Sequence, residues 1–335
     1  MSRFVVTGAT GHIGNNVARM LCGEHKDIVL VVRRTDDEAI ADLNTKLAVG
    51  NFSDPDFLDR LLTSDDIVIH CAGMIAITDE NADEVMRVNY EGTKTLADIC
   101  VKKRIKKFVY ISSVDAIYKP DTCSPISEPS AFFPDKLDGI YGKSKAMATE
   151  YVLKLAKKNE LNVSVVYPTA VIGPYDYKVS NVGQVILDFI TEKPLARIEG
   201  CYNFVDVRDV AQAVVKVARN SNPGSAYILG GEVVTVTQLF EILSPLCGRN
   251  IPIKLPLWFV NTFSDLGVLY YRVRGKKPVF SRFALKTLNS NCNYDISKAR
   301  TELGYSPRGA AETLIDSAKW LYENKAAKEK AFAKV

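Results

Sequence analysis

Residues 4–14 read FVVTGATGHIG, an apolar run, three glycines at 8, 11 and 14, and then a stretch with helical spacing. The run at 4–6 is short, continuous and apolar, which predicts a buried strand. From His12 to Cys22, the residues Ile13, Val17, Met20 and Leu21 share one face, which predicts an amphipathic helix. A strand that turns into a helix over so few residues relies on glycine, which tolerates tight backbone geometry and close approach. Such a turn lets Gly8, Thr10, Gly11, His12, Ile13 and Gly14 surround a pyrophosphate, with free N–H groups supplied by the helix N-terminus. The spacing is G-x-x-G-x-x-G rather than G-x-G-x-x-G, and it narrows the comparison later.

Strand and helix signals alternate onward from this turn. Strands are predicted at 28–32, 46–49, 67–70, 108–111 and 163–167, and helices at 56–62, 85–101 and 141–159. The alternation predicts a doubly wound parallel sheet with helices on both faces, an α/β Rossmann-type fold. Residues 120–139, rich in Pro, Ser and Asp, read as loop. Later strands at 204–207 and 227–229 are expected to return to the same sheet. Helices at 184–191, 209–219 and 237–246 suggest a smaller, discontinuous C-terminal lobe over the ligand-binding ends of the strands. The division expected is 1–173 with 202–231 for the cofactor domain, 174–201 with 232–325 for the substrate lobe, and 326–335 for a tail.

Composition excludes several classes. The chain has 335 residues, 47% of them hydrophobic and 24% charged, with a net charge of +4. These are ordinary values for a globular protein, and they call for no polyanionic partner. The basic run at 102–107 reads as a solvated helix end, so no nucleic acid is expected. Seven cysteines without a C-x-x-C favour reduced thiols and a cytoplasmic setting over a disulfide framework or a zinc site. The three histidines lack metal-ligand spacing, and no metal is expected. No signal peptide precedes the first strand. The apolar run 255–273 is broken by Asn261, Asp265 and Arg272. It reads as a helix against a substrate pocket rather than a transmembrane segment, with bilayer-surface contact left open.

Two constellations carry chemistry. The second strand ends in Arg33 and Arg34, with no carboxylate before Asp36. An acidic residue there would bind a ribose 2′-hydroxyl; guanidinium groups suit a 2′-phosphate, which favours NADP(H) over NAD(H). Tyr141 and Lys145, four apart at a helix start, share one face. Two other Y-x-x-x-K pairs occur, Tyr90/Lys94 and Tyr294/Lys298, but only Tyr141 follows a strand that ends in a serine pair. A free tyrosine has a pKa near 10, and a neighbouring ammonium can bring it about 1–3 units closer to neutrality, where acid–base catalysis works best. Ser113, with Ser112 as second choice, is placed to hold the substrate oxygen.

Together these residues resemble the extended short-chain dehydrogenase/reductases, the NAD(P)-dependent epimerase/dehydratase superfamily, over about residues 1–325. TGATGHIG is similar to that family's cofactor turn. Asn51-Phe52 sits where the family has an Asp and an apolar residue beside the adenine; here an amide replaces the carboxylate. HCAG, with Cys71, Ala72 and Gly73, resembles the loop over the cofactor ribose, and Asn89 matches a structural asparagine. YISSVDAIY (110–118) resembles the catalytic-serine strand. YPTAVIGPYD (167–176), with Pro168, Thr169, Ala170 and Val171, resembles the segment packing on the nicotinamide. Residues 203–214 and 294–308 resemble later landmarks, which makes Tyr294/Lys298 a structural match. Within the family the dihydroflavonol reductase-like and 3β-hydroxysteroid dehydrogenase-like members look most similar.

The resemblance implies an NADP-dependent oxidoreductase acting on a small carbonyl or alcohol, with Tyr141 as general acid/base, Ser113 orienting the substrate oxygen and Lys145 holding the ribose. Asp115, Tyr118, Tyr175, Tyr177 and Val182 are lining candidates, and Trp258, Phe259 and Phe263 would add an apolar wall. The alternative is a nucleotide-sugar epimerase or dehydratase with the same triad, which would use Arg197, Arg272 and Arg274 for a substrate diphosphate. A non-catalytic cofactor sensor is the third reading, disfavoured because the tyrosine and lysine are both present. The resemblance also allows a homodimer built on helices 85–101 and 141–159.

Overall fold

The apolar run that opens the chain is the centre of β1 (Arg3–Thr7) in a computed structural model that describes residues 2–24, 27–76, 81–119, 124–256, 288 and 290–326. Seven parallel strands make the main sheet: β1, β2 (Ile28–Val32), β3 (Lys46–Val49), β4 (Asp66–His70), β5 (Lys107–Ile111), β6 (Val163–Pro168) and β10 (Ala226–Leu229). Their spatial order is β3-β2-β1-β4-β5-β6-β10. Every residue of β2, β4, β5 and β6 is buried. Continuous apolar strands are what a sheet covered on both faces requires.

The covering helices form two groups. On one side α1 (His12–Glu24) packs on α7 (Val207–Asn220); elsewhere α2 (Pro55–Leu61), α4 (Gly92–Lys103) and α5 (Ile140–Lys157) lie side by side. Asp54 caps α2 by accepting from the Asp56 and Phe57 N–H groups, and Pro55 takes the first helical position, where a missing N–H costs nothing. The run at 102–107 is only partly a solvated helix end. Lys102 and Lys103 pair with Asp59, but Lys107 begins β5 and is buried, donating to Ser221 Oγ at 2.8 Å.

The helix expected at 85–101 is divided. Residues Ala82–Met86 form α3, Arg87–Glu91 a π turn, and α4 follows. The wider turn contains Asn89, whose buried side chain is held by tertiary bonds, and π turns commonly mark such sites.

A second correction concerns residues 204–207. They lie in or just after β9 (Cys201–Asp206), which does not rejoin the main sheet. It pairs in parallel with β7 (Ala170–Ile172) and antiparallel with β11 (Glu232–Thr235) in a separate three-stranded sheet. Apolar runs look alike in either sheet, so pairing was not legible from pattern. Residues 227–229, by contrast, do lie beside β6. A short pair, β8 (Ala196–Arg197) with β12 (Ile253–Lys254), completes the strands among the described residues.

A second apolar core lies under α6 (Asn181–Ile190), α8 (Val236–Cys247) and α10 (Ala310–Leu321), where the Phe189 and Phe240 rings are 4.9 Å apart. The shorter helix α9 (Ser297–Leu303) packs on β10. Ion pairs join the late landmarks. Arg208 bridges Asp206 and Asp316, while Arg308 pairs with Asp209. The apolar run 255–273, with Trp258, Phe259 and Phe263, lies outside the described residues from 257 onward, as does the tail from 327. Among the described residues no helix is long and apolar enough to cross a membrane.

The strand order reverses between β1 and β4, the switch point where open α/β sheets bind ligands. Gly8 leaves β1 there with φ +74°, and a Cβ on it would lie 2.5 Å from the Ala72 nitrogen, just beyond β4. A Cβ on Gly14 would lie 2.3 Å from the Gly8 carbonyl oxygen. Both contacts are with backbone, which cannot swing aside. Gly14→Ala is therefore expected to cost about 1–3 kcal/mol or more, read as a lower urea midpoint with unchanged m-value. Wild-type stability in that variant would show that the turn relaxes freely.

Candidate active site

The glycine turn and the β4 loop form one side of the site. The Gly11 N–H donates to the Gly8 carbonyl at 2.9 Å, and the Asn15 N–H to Gly11 at 2.8 Å, so α1 starts inside the turn. The first amides of a helix lack internal partners and point outward from it. His12 reaches the Pro174 carbonyl through Nε2 at 3.0 Å. Ile13 packs against the main core. Lys178, from the second lobe, donates to Thr10 Oγ1 at 3.0 Å and so crosses the mouth of the turn.

The loop after β4 is clamped from two directions. Asn89 Oδ1 accepts from the Met74 N–H at 2.7 Å, while its Nδ2 donates to Met74 O at 2.9 Å and to Ser144 Oγ at 3.1 Å. A Cβ on Gly73 would meet Asn89 Oδ1 and Lys145 Nζ, each at 3.3 Å. Behind the loop His70 is buried between Thr7 and Thr93. Thr93 donates to the Asn89 carbonyl at 2.7 Å, so it accepts from His70 Nε2–H at 3.0 Å, and Nδ1 accepts from Thr7 at 2.7 Å. A buried polar line thus runs from β1 to the π turn. Burial, with Lys145 nearby, pushes His70 down to about 3, and burial pushes the Cys71 thiol up to about 12.

Ser113, Tyr141 and Lys145 converge at the ends of β5 and α5. The structure separates the two serines. Ser112 Oγ lies 2.7 Å from Thr149 Oγ1 in the interior, whereas Ser113 donates to Asp115 Oδ2 at 3.3 Å and lies near enough to the Tyr141 phenol to favour its ionised form. Lys145 is buried, donates to the Ile111 carbonyl at 2.8 Å and sits 4.8 Å from the Tyr110 ring centre. Burial drives its amine down to about 8. The expectation that Lys145 lowers the Tyr141 pKa does not describe this arrangement. Burial raises the phenol well above its ordinary value, Asp115 raises it further, and the neighbouring Ser113 hydroxyl only partly offsets them.

At the far side of the cofactor turn, Arg33 and Arg34 are both exposed. Arg34 forks onto Asp36 at 2.6 and 2.7 Å, and Arg33 has no ion-pair partner among the described residues. Asn51 Oδ1 accepts from the Ser53 N–H and hydroxyl, and Phe52 stands 5.0 Å from the His70 ring. Pro168 ends β6, and Ala170 and Val171 begin β7. Between them the buried Thr169 hydroxyl has no partner among the described residues.

The substrate-side candidates divide. Asp115 lies beside Ser113, with Lys119 at 3.8 Å. Tyr118 is exposed, its ring 6.2 Å from Phe133. Val182 packs on the second core. Tyr175 and Tyr177 instead stand against Arg19 of α1, at 4.1 and 5.9 Å, and against Trp320. Their rings bridge α1 and α10, and among the described residues no contact with Ser113 or Tyr141 accompanies these. Reasoning from sequence missed Tyr202, and placed Tyr294 only in the structural Tyr294/Lys298 pair; both are half-buried phenols close enough to Asp115 for its charge to raise them. No motif spacing signals Tyr202.

A parallel sheet with a glycine turn at its switch point, beside a Ser-Tyr-Lys cluster, defines a nicotinamide-dependent Rossmann enzyme class. The NAD dependent epimerase/dehydratase family model matches residues 4–230, and the chain belongs to that family. It is 29% identical over 326 residues to sterol demethylase protein B of Methylococcus capsulatus, covering 95% of this chain and 98% of that one. It is 28% identical to a putative dihydroflavonol 4-reductase of Synechocystis sp., covering 95% and 94%. Among solved structures, that of gox2253 superposes with a TM-score of 0.83 at 32% identity, covering 97% and 99%.

The lowered His70 pKa has a consequence for stability. Below an unfolded value of about 6.5 the unfolded chain takes a proton that the folded chain refuses, so stability is lost as pH falls toward 3. Unfolding free energy measured in urea is expected to lose about 1.4 kcal/mol per pH unit to this group between pH 6 and 4. His70→Gln should flatten the dependence by that amount, and an unchanged slope would remove His70 as its cause.

Proposed function

We propose that this chain is an NADP(H)-dependent oxidoreductase that moves a hydride between nicotinamide and the carbon of a small carbonyl or alcohol. The observation that carries the reading is the convergence of Ser113 and Asp115 beside the Tyr141 phenol, with Lys145 one helical turn along, facing Gly73. Ser113 holds the substrate oxygen, and Tyr141 gives it a proton in reduction or takes one in oxidation. When bound, the nicotinamide supplies or accepts the hydride.

The residues present fit that cofactor. Gly8 and Gly14 leave room for the turn, and the α1 amides of His12 and Ile13 suit the pyrophosphate. Lys145 and the Cys71–Gly73 loop would hold the nicotinamide ribose. The orphaned Thr169 hydroxyl sits in the segment assigned to the nicotinamide and can be satisfied there. Arg33, at the end of β2 and without an ion-pair partner among the described residues, suits a 2′-phosphate. Arg34 would first have to leave Asp36.

The relatives named for sterol demethylation and dihydroflavonol reduction support a carbonyl or alcohol substrate of low polarity. The nucleotide-sugar alternative needs cations for a diphosphate. Arg197 is committed to Pro252 O, Glu199 and Thr237, and Arg272 and Arg274 lie outside the described residues.

Two measurements test this reading. Following NADPH absorbance with a panel of ketones, aldehydes and steroids, Tyr141→Phe should lower turnover at least about a hundredfold and leave the NADPH dissociation constant within about twofold. Full rate in that variant would displace Tyr141 from the reaction. Arg33→Gln should weaken NADPH by about tenfold, corresponding to a lost charged hydrogen bond, and leave NADH nearly unaffected. Equal weakening of both would sink the 2′-phosphate assignment.

A further inference from the structure

Two of the seven cysteines meet in space. Cys201, the first residue of β9, and Cys292 are 91 positions apart in sequence, yet their sulfur atoms are 2.7 Å apart. Both are free thiols and both are partly buried. Non-bonded sulfurs do not pack this closely, and a disulfide would bring them only slightly nearer, to about 2.05 Å.

The approach is built by the backbone on both sides. Next to Cys201, Gly200 lies so close to Leu288 that a Cβ on it would be 2.6 Å from the Leu288 Cβ. Two residues along, Asn203 Nδ2 donates to the Cys292 carbonyl at 3.3 Å. Cys201 is itself fixed in the sheet opposite Thr235. Segment 290–296 is held on its other side, where the Ile126 N–H donates to Asn293 O at 2.8 Å and the Asp295 N–H to Ile126 O at 2.9 Å. Neither cysteine has to travel to reach the other.

The neighbours give the pair a place in the site. Tyr202 follows Cys201 directly, and Tyr294 is two residues beyond Cys292. Both phenols feel the charge of Asp115, which in turn accepts from Ser113. The Lys119 ammonium stands 5.5 Å from the Tyr294 ring centre. The two cysteines therefore join the two chain segments that face Asp115.

We propose that Cys201 and Cys292 form a reversible disulfide that staples segment 290–296 to β9 and fixes the wall carrying Tyr202 and Tyr294. The oxidant is a low-molecular-weight disulfide. Burial and the adjacent Cys201 hold the Cys292 thiol above its ordinary value, which makes Cys292 the resolving partner and Cys201 the attacking one. Its thiolate attacks one sulfur of the external disulfide, forming a mixed disulfide and releasing one thiol. Cys292 then gives up its proton and attacks the Cys201 sulfur, forming the internal S–S bond and releasing the second thiol. Two cysteines lose two electrons, and one external disulfide gains them. Closing a loop this long restricts the unfolded chain strongly, so the oxidised form should be the more stable.

The test uses the full chain treated with oxidised glutathione, then alkylated under denaturing conditions and peptide-mapped. The expected result is a Cys201–Cys292 cross-linked peptide, two fewer alkylated thiols, and a thermal midpoint raised by about 5 °C or more, all reversed by dithiothreitol. Cys201→Ser and Cys292→Ser should each abolish the cross-link and the rise while keeping the reduced protein's midpoint. Full alkylation, a stable glutathione adduct on Cys201, a bond through another cysteine, or an unchanged midpoint would each overturn the staple. Its placement on the substrate wall rests on the oxidoreductase reading. There the oxidised enzyme should change KM for the carbonyl substrate at least threefold and leave the NADPH dissociation constant unchanged. An unchanged KM with the cross-link formed removes the wall's role; absence of any turnover removes the oxidoreductase reading and leaves the cross-link result standing.

Discussion

Everything at the site depends on how closely two loops approach at the switch point of the sheet. Gly8 comes off β1 and Ala72 comes off β4, and no side-chain carbon fits between them. That contact brings the first turn of α1 beside the Cys71–Gly73 loop, which in turn abuts Lys145. From there the Asn89 clamp reaches Ser144 on α5, the helix that carries Tyr141. The glycine turn and the Ser113–Tyr141–Lys145 cluster are therefore linked through the Cys71–Gly73 loop and the Asn89 side chain.

The buried line through Thr7, His70 and Thr93 stiffens the same region from behind. It joins β1, β4 and the π turn by hydrogen bonds that leave His70 neutral. A charged imidazole would have no carboxylate to pair with there. The aromatic rings of Phe52, Phe108 and Tyr110 around it, with centroids 5.0 to 6.0 Å away, make that environment apolar. Neutrality is what lets a histidine serve as a two-ended connector, accepting at Nδ1 and donating at Nε2.

Much of the fold was legible because its central strands are buried on both faces. The run at 28–32 coincides with the wholly buried β2, since an apolar run bounded by polar residues has few other uses in such a sheet, whereas 46–49 coincides with β3, an edge strand that is mostly exposed. Pairing was less legible. β9 has the same apolar character as a core strand, but its partner β7 has already left the main sheet after Pro168. The π turn in the helix expected at 85–101 comes from bonds made by Asn89 to distant residues, which local spacing does not encode. The choice between Ser112 and Ser113 was likewise open until Thr149 took the first. Tyr175 and Tyr177 carried no signal to separate a lobe contact from a pocket lining. The Cys201–Cys292 pair was invisible for the same reason, because neighbours 91 positions apart leave no motif.

The balance of forces on Tyr141 bears on the direction of proton flow. Burial and Asp115 keep the phenol protonated at neutral pH, and the nearby Ser113 hydroxyl does not reverse this. A protonated phenol is the state required of a group that donates to a developing alkoxide. Oxidation needs the tyrosinate instead, and its stabilisation would have to come from positive charge near the ring. Lys145 donates to the Ile111 carbonyl, and burial holds its amine near 8, so it is mostly charged at neutral pH and loses that charge as the pH rises past 8. Within the proposed reaction, the resting arrangement is set for donation, and proton abstraction depends on what an oxidised nicotinamide adds when bound.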